Sequence, residues 1–242
     1  RAAARVVHIG AVGSDGGWAV DRLMEYGVDT RRIATLPEMT GHAVIAVDDA
    51  GENTILLHGG ANTALREADL AEALEPSREG DFFLFQNETT CQREAAEIAS
   101  RQGLRVAYAA APFDAAAVQA VMPLLDLLVL NSVEAAQLEE ATGLAPEALP
   151  VRDVVVTLGA DGCRWIETDS GTSRHFPAIP VVPVDTTGAG DTFTGYLLAG
   201  LDRGMPMAQA LVLAQRAAAL MVTRHGTADV IPDLKEVQDL RF

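Results

Sequence analysis

Apolar and polar residues fall into two kinds of block along this 242-residue chain: short runs that are apolar throughout, and longer runs with apolar positions three and four apart. The short runs are RVVHIGA (5–11), DFFLFQ (81–86), LRVAYA (104–109), DLLVLN (126–131) and DVVVTL (153–158), rich in β-branched or aromatic residues. They predict strands covered on both faces. WAVDRLMEYG (18–27), TTCQREAAEIASRQG (89–103) and SVEAAQLEEATG (132–143) each carry one apolar stripe and stop at glycine, as amphipathic crossover helices do. The alternation predicts an α/β fold, a doubly wound and mostly parallel sheet flanked by helices. HAVIAVDDAGENTILLHGG (42–60) reads differently, as two extended runs around a DDAGEN turn. It predicts a hairpin that leaves the main sheet and forms part of a small β lid over about 38–60.

Composition narrows the function classes. With 49% hydrophobic residues and no repeat or long linker, residues 1–242 are expected to form one domain with a full core. A net charge of -16 without a basic block argues against nucleic acid or an anionic membrane as partner. No apolar run reaches the roughly 18 residues of a membrane span and no secretory pattern opens the sequence, so the expected location is the cytoplasm. Cys91 and Cys163 stand in unrelated contexts, which suggests free thiols, and the histidines form no HxxxH pair. The single lysine, Lys235, rules out a GxxxxGK[ST] phosphate loop, so any phosphate cradle has to be built from backbone. Gly10, Gly13 and Gly16 lack dinucleotide-fold spacing and read as a turn.

In a doubly wound sheet ligands bind beyond the carboxyl ends of the strands. Polar residues gather there: Gln86-Asn87-Glu88, Asn131-Ser132-Val133-Glu134 and Thr157 to Gly162. VDTTGAGDTFTGYLLAGL (184–201) follows the same logic. Gly188, Ala189 and Gly190 lack bulk, so their N–H groups can approach an anion at a helix start whose dipole favours negative charge. Asp191 has two readings, a helix cap or an acceptor for a hydroxyl proton.

At these residues the chain resembles the ribokinase-like, or PfkB, family of carbohydrate kinases. DTTGAGDTFTGYL is similar to the family's C-terminal signature, and NSVEAAQL and VVVTLGADG to two further blocks in the same order. GENTILLHGGAN, FLFQNE and VTRHG extend the resemblance from about Arg5 to Pro232. It implies ATP-dependent phosphorylation of a sugar hydroxyl, D-ribose to D-ribose 5-phosphate foremost. Fructose, 2-keto-3-deoxygluconate or a nucleoside are the alternative acceptors, and a non-catalytic sugar or nucleotide sensor is the alternative class. The partners implied are a small sugar and ATP, with a homodimer through the lid.

The resemblance also assigns residues. Asp191 would be the general base, with Gly188, Ala189 and Gly190 holding the transferring phosphoryl group, and Glu88 would contact the pentose. Asn131 and Glu134 resemble an NxxE element that orients phosphate and Mg²⁺ through water; the plain reading is a first-turn carboxylate behind an N-cap at Ser132. Thr157, Gly159, Ala160, Asp161 and Gly162 resemble a nucleotide-contacting loop. Gln215 would lie near adenine or, equally, be a solvated helix residue. Asp185, Thr187, Met221, Arg224 and Gly226 match a monovalent-cation site for potassium, with Val230 where a serine often completes the shell; an Asx-type turn is the other reading of Asp185. The sequence departs from the family at the front, where a strand with a sugar-binding Asp, lid strands and a GGKGxN block are usual, and it is short between Gly143 and Asp153. The expectation is that this N-terminal sugar-binding segment is absent from the chain, which by itself would bind nucleotide but phosphorylate sugar poorly.

Overall fold

The computed structural model describes residues 1–47 and 53–240. The elements are β1 (Val7–Val12), α1 (Gly17–Glu25), β2 (Asp29–Thr35), β3 (His42–Val47), β4 (Asn53–His58), α2 (Glu67–Leu74), β5 (Phe82–Gln86), α3 (Gln92–Arg101), β6 (Arg105–Ala109), α4 (Ala115–Val121), β7 (Leu127–Asn131), α5 (Ser132–Thr142), β8 (Asp153–Thr157), β9 (Cys163–Glu167), β10 (Thr172–Phe176), α6 (Ala189–Asp202), α7 (Met207–Met221) and α8 (Leu234–Asp239). The main sheet has the order β10-β9-β8-β7-β6-β5. Its β5 to β8 run parallel, while β9 and β10 return antiparallel. Chain length explains the change: crossovers containing α3 and α4 join β5 to β6 and β6 to β7, whereas the short Leu158–Gly162 loop between β8 and β9 can only close a hairpin.

Alternation along the parallel strands feeds two cores. Val106, Tyr108, Leu128, Leu130, Val154 and Val156 enter one core with residues of α3, α4 and α5. Ala107, Ala109, Leu127, Val129 and Val155 enter the other, with Phe193, Leu197, Leu211 and Ala214 of α6 and α7. Each larger aliphatic side chain removed from water contributes about 1.5–3 kcal/mol, so a strand with two buried faces has to be apolar at every position. That is the origin of the uninterrupted runs. Gly200 lets α6 come close to α7, since a Cβ there would lie 2.9 Å from the Cβ of Ala210.

The first run departs from expectation. It forms a strand, but β1 pairs in parallel with β2 in a separate two-stranded sheet. Of its residues only Ala11 is buried and Val7 is 46% exposed, so this run is not covered on both faces as expected. The 42–60 hairpin forms as predicted, antiparallel from His42↔His58 to Val47↔Asn53 and apart from the main sheet. Residues 48–52 of its DDAGEN turn lie outside the described residues. Its base is tight: Gly60 has φ +48, and a Cβ there would come within 2.3 Å of the Met39 carbonyl oxygen. Of the three glycines read as a turn, Gly10 lies instead within β1, opposite Ile33; Gly13–Gly16 form the turn, closed by Gly16 N–H on the Gly13 carbonyl and tied to the hairpin base by Gly13 N–H on Thr40 Oγ1. Among the described residues no helix is long and apolar enough to cross a membrane.

Candidate active site

The start of α6 is bare. The helix begins at Ala189, earlier than the apolar run alone suggests, so Asp191 lies inside its first turn. Gly188 precedes it in the left-handed region at φ 77, a conformation that costs a side-chain-bearing residue about 1–2 kcal/mol. No side chain caps the helix, which removes the cap reading of Asp191. Ala189 N–H donates to the Thr186 carbonyl at 3.2 Å and Thr192 N–H to the Gly188 carbonyl at 2.9 Å. The N–H groups of Gly190 and Asp191 have no partner among the described residues. A Cβ built on Gly190 would meet nothing within 4 Å, so the space beside these donors is open. Asp191 itself is exposed, and its Oδ1 accepts a hydrogen bond from Gln86 Nε2 at 3.4 Å, from the end of β5.

The start of α5 is closed. Asn131 is the N-cap, its Oδ1 accepting from Glu134 N–H at 2.8 Å, while Glu134 Oε2 accepts from Asn131 N–H at 2.7 Å. Ser132, expected as the cap, is instead the first helical residue, because the longer asparagine reaches the third N–H and the glutamate returns the bond. Glu134 Oε1 and the Asn131 side-chain amide nitrogen have no protein partner among the described residues. One free carboxylate oxygen at the carboxyl end of β7 suits a hydrated divalent cation better than a directly ligated one. Among the described residues no three His, Cys, Asp or Glu side chains cluster as metal ligands.

Beside it, Thr157 ends β8 in register with Asn131. A 3₁₀ turn over Gly159–Asp161 follows, closed by Leu158 N–H on the Gly162 carbonyl at 2.8 Å. Gly159 has φ +58 with open space around it, whereas a Cβ on Gly162 would lie 2.1 Å from the Phe176 carbonyl oxygen. Gln215 donates from Nε2 to that same carbonyl at 2.8 Å. It is buried, so the solvated reading fails: a polar side chain in an apolar helix face is retained here because a strand-end carbonyl needs a donor. Gln215 thus holds the end of β10, against which Gly162 is closely packed.

The residues proposed for a cation are brought together around the turn before α6. Asp185 Oδ1 accepts from Thr187 N–H at 2.9 Å and Oδ2 from Gly226 N–H at 3.3 Å. The Thr187 backbone bond, then the Thr187 side chain and Gly226, hold this carboxyl below the usual carboxylate range. The Asx-type turn is therefore present. The Met221 carbonyl accepts Arg224 N–H at 3.1 Å, and the Val230 carbonyl accepts Arg224 Nη1 at 3.1 Å. The Val230 carbonyl thus already takes a bond from a cationic guanidinium, while the Asp185 carboxylate and the other carbonyls keep lone pairs that could face a cation.

Glu88 is exposed in the turn after β5. The adjoining Thr89 Oγ1 donates to the Asn62 carbonyl at 2.9 Å, which ties this turn to the hairpin base. A cavity of about 390 Å³ opens at the other end of the sheet, beneath Arg105, Arg152 and Trp165, and none of the residues assigned to chemistry lines it. Gln86 stands at a strand tail with no role assigned from the sequence; as the polar residue that closes the apolar run Phe82–Phe85, it carried the available signal.

The chain belongs to the pfkB family of carbohydrate kinases, whose model matches residues 1–234. Among curated relatives, it is 33% identical over 254 residues to a ribokinase of Haemophilus influenzae, covering 98% of this chain and 81% of the relative. It is 31% identical over 250 residues to a ribokinase of Bacillus subtilis, covering 99% and 83%. The structure is similar to ribokinase from Arabidopsis thaliana complexed with ribose and ATP, with a TM-score of 0.85 and 26% identity over 97% of this chain and 81% of that one. It also superposes on a burkholderial nucleoside kinase at 21% identity and a TM-score of 0.79, a likeness of fold.

Proposed function

We propose that this protein transfers the γ-phosphoryl group of ATP to the primary hydroxyl of D-ribose. The observation that carries the reading is the bare start of α6, with two unpartnered N–H groups, open space beside Gly190 and the Asp191 carboxylate in the same turn. Phosphoryl transfer asks a protein for positioning and charge stabilisation more than for covalent chemistry. Asp191 takes the hydroxyl proton as the sugar oxygen attacks. In the Gly188–Gly190 turn, where side-chain bulk is small, the free donors for the charge on the transferring group are Gly190 N–H and, next in the helix, Asp191 N–H, whereas Ala189 N–H is already bonded to the Thr186 carbonyl. Asn131 and Glu134 orient the nucleotide phosphates, and Thr157 to Gly162 line the nucleotide, with Gln215 holding the adjoining end of β10. Bound magnesium would neutralise phosphate charge, held through water by the free Glu134 oxygen. Glu88 bonds the pentose.

The named relatives and the ribose- and ATP-bound neighbour support ribose and ATP as the substrates. We further read residues 1–242 as one domain in the cytoplasm, with the 38–60 ribbon as a lid whose exposed Val44, Leu56 and Leu57 suit a homodimer contact. Potassium at Asp185, Thr187, Met221, Arg224 and Gly226 completes the proposal. The test is ADP release by the full-length protein over ribose, fructose, 2-keto-3-deoxygluconate and a nucleoside. The highest kcat/KM is expected with ribose; preference for another acceptor would reassign the substrate, and no turnover with any would favour a sensor.

A further inference from the structure

The contact between Gln86 and Asp191 joins residues 105 positions apart and has no role in the chemistry above. We propose that Gln86 is a positioning residue that fixes the Asp191 carboxylate for proton transfer, an inference that rests on the reading of Asp191 as base. Gln86 Nε2 donates to Oδ1, and Oδ2 has no protein partner among the described residues. The amide therefore occupies one oxygen and leaves the other for the hydroxyl. An amide also orients without adding charge: an Arg or Lys here would stabilise the carboxylate and weaken it as a base.

The donor is itself held in place. Gln86 ends β5 in register with Ala109 of β6. The next residue is pinned three times: Asn87 N–H donates to the Ala111 carbonyl at 3.1 Å, its Nδ2 to the Pro112 carbonyl at 3.0 Å, and its Oδ1 accepts from Gln92 Nε2 of α3 at 2.9 Å. On the other side, Asp191 is carried by the first turn of α6. Two anchored backbones thus present an amide to a carboxylate that would otherwise rotate freely in solvent. At 3.4 Å the bond is long, as such contacts often are before substrate closes the site.

The test is steady-state kinetics of the full-length protein with ATP and ribose. Gln86→Met keeps length but removes the amide, and is expected to lower kcat about tenfold with both KM values within about twofold, since misorientation affects the transition state more than binding. Gln86→Glu keeps the shape and places a like charge beside Asp191; a larger loss is expected, so the proposal stays testable if the methionine variant folds poorly. In an Asp191→Asn background, Gln86→Met is expected to change kcat no further, because it acts through that carboxylate. Equal losses in both backgrounds, a raised ribose KM with kcat intact, or full turnover by both Gln86 variants would each overturn the positioning role while leaving Asp191 as base. Full turnover by Asp191→Asn would overturn the base assignment and this inference with it.

Discussion

Two helices begin at the carboxyl ends of the strands, and they end their first turns in opposite ways. At α5 the N–H groups of Asn131 and Glu134 are met by side chains in a reciprocal pair at 2.7 and 2.8 Å, while those of Ser132 and Val133 have no partner among the described residues. At α6 a left-handed glycine takes the cap position, and among the described residues no side chain caps and Gly190 and Asp191 keep free N–H groups. Any helix leaves such donors unsatisfied at its start, and an unmet donor has to find water or a ligand. The capped start stabilises the fold. The uncapped start gives up that stabilisation and keeps its donors for an anion, beside a carboxylate placed to remove a proton.

The contrast can be broken most severely at Asp191. Asp191→Asn is expected to lower kcat by roughly 10²- to 10⁴-fold with little change in nucleotide affinity, the usual range for loss of a general base; coupled ADP release together with nucleotide titration measures both. Gly190→Ala comes next. The fold has room for the methyl group, so the melting temperature should hold, yet kcat should fall on the order of 10²-fold because the methyl would occupy the space of the transferring group. A variant that melts unchanged and turns over normally would show that nothing binds against Gly190.

At α5 a stability cost joins any loss of rate, because Asn131 is both cap and phosphate-orienting residue. Asn131→Ala removes the cap and should cost about 1 kcal/mol, or about 2–4 °C in melting temperature for a chain of this size. The smallest effect is at Asp185, whose carboxyl is held below its usual range by Thr187 and Gly226. A depressed carboxyl stabilises the folded state above its unfolded value, near pH 4, and loses that contribution as pH falls through the folded value. The gap in melting temperature between wild type and Asp185→Asn should therefore narrow below about pH 4. A gap that widened on acidification would contradict the sign.

Much of this was legible in the sequence because both faces of the sheet are buried. Between an opening aspartate and a polar tail, runs such as DLLVLN and DVVVTL are wholly apolar, so strand, depth and carboxyl tail come from one pattern. Asn131, Thr157 and the GAGD turn were found at those tails. What escaped was pairing across distance. Periodicity could not separate β1 from the main sheet, because an apolar run does not specify which backbone edge it pairs with. Nor could it show that Gln215 serves the Phe176 carbonyl or that Gln86 reaches Asp191, contacts spanning 39 and 105 residues. The Asn131 cap was missed for a local reason: Asn and Ser both cap well, and only the returning Glu134 bond decides between them.

The central claim is that the uncapped helix start holds the charge of the transferring phosphoryl group. It is tested most directly by recording backbone amide ¹⁵N resonances of the full-length protein with ribose, Mg²⁺, ADP and aluminium fluoride, which stands in for the phosphoryl group in flight. The amides of Gly190 and Asp191 are expected to shift strongly and become protected from exchange, while that of Glu134, already bonded to Asn131, moves little. Unchanged Gly190 and Asp191 amides in the assembled complex would contradict the claim.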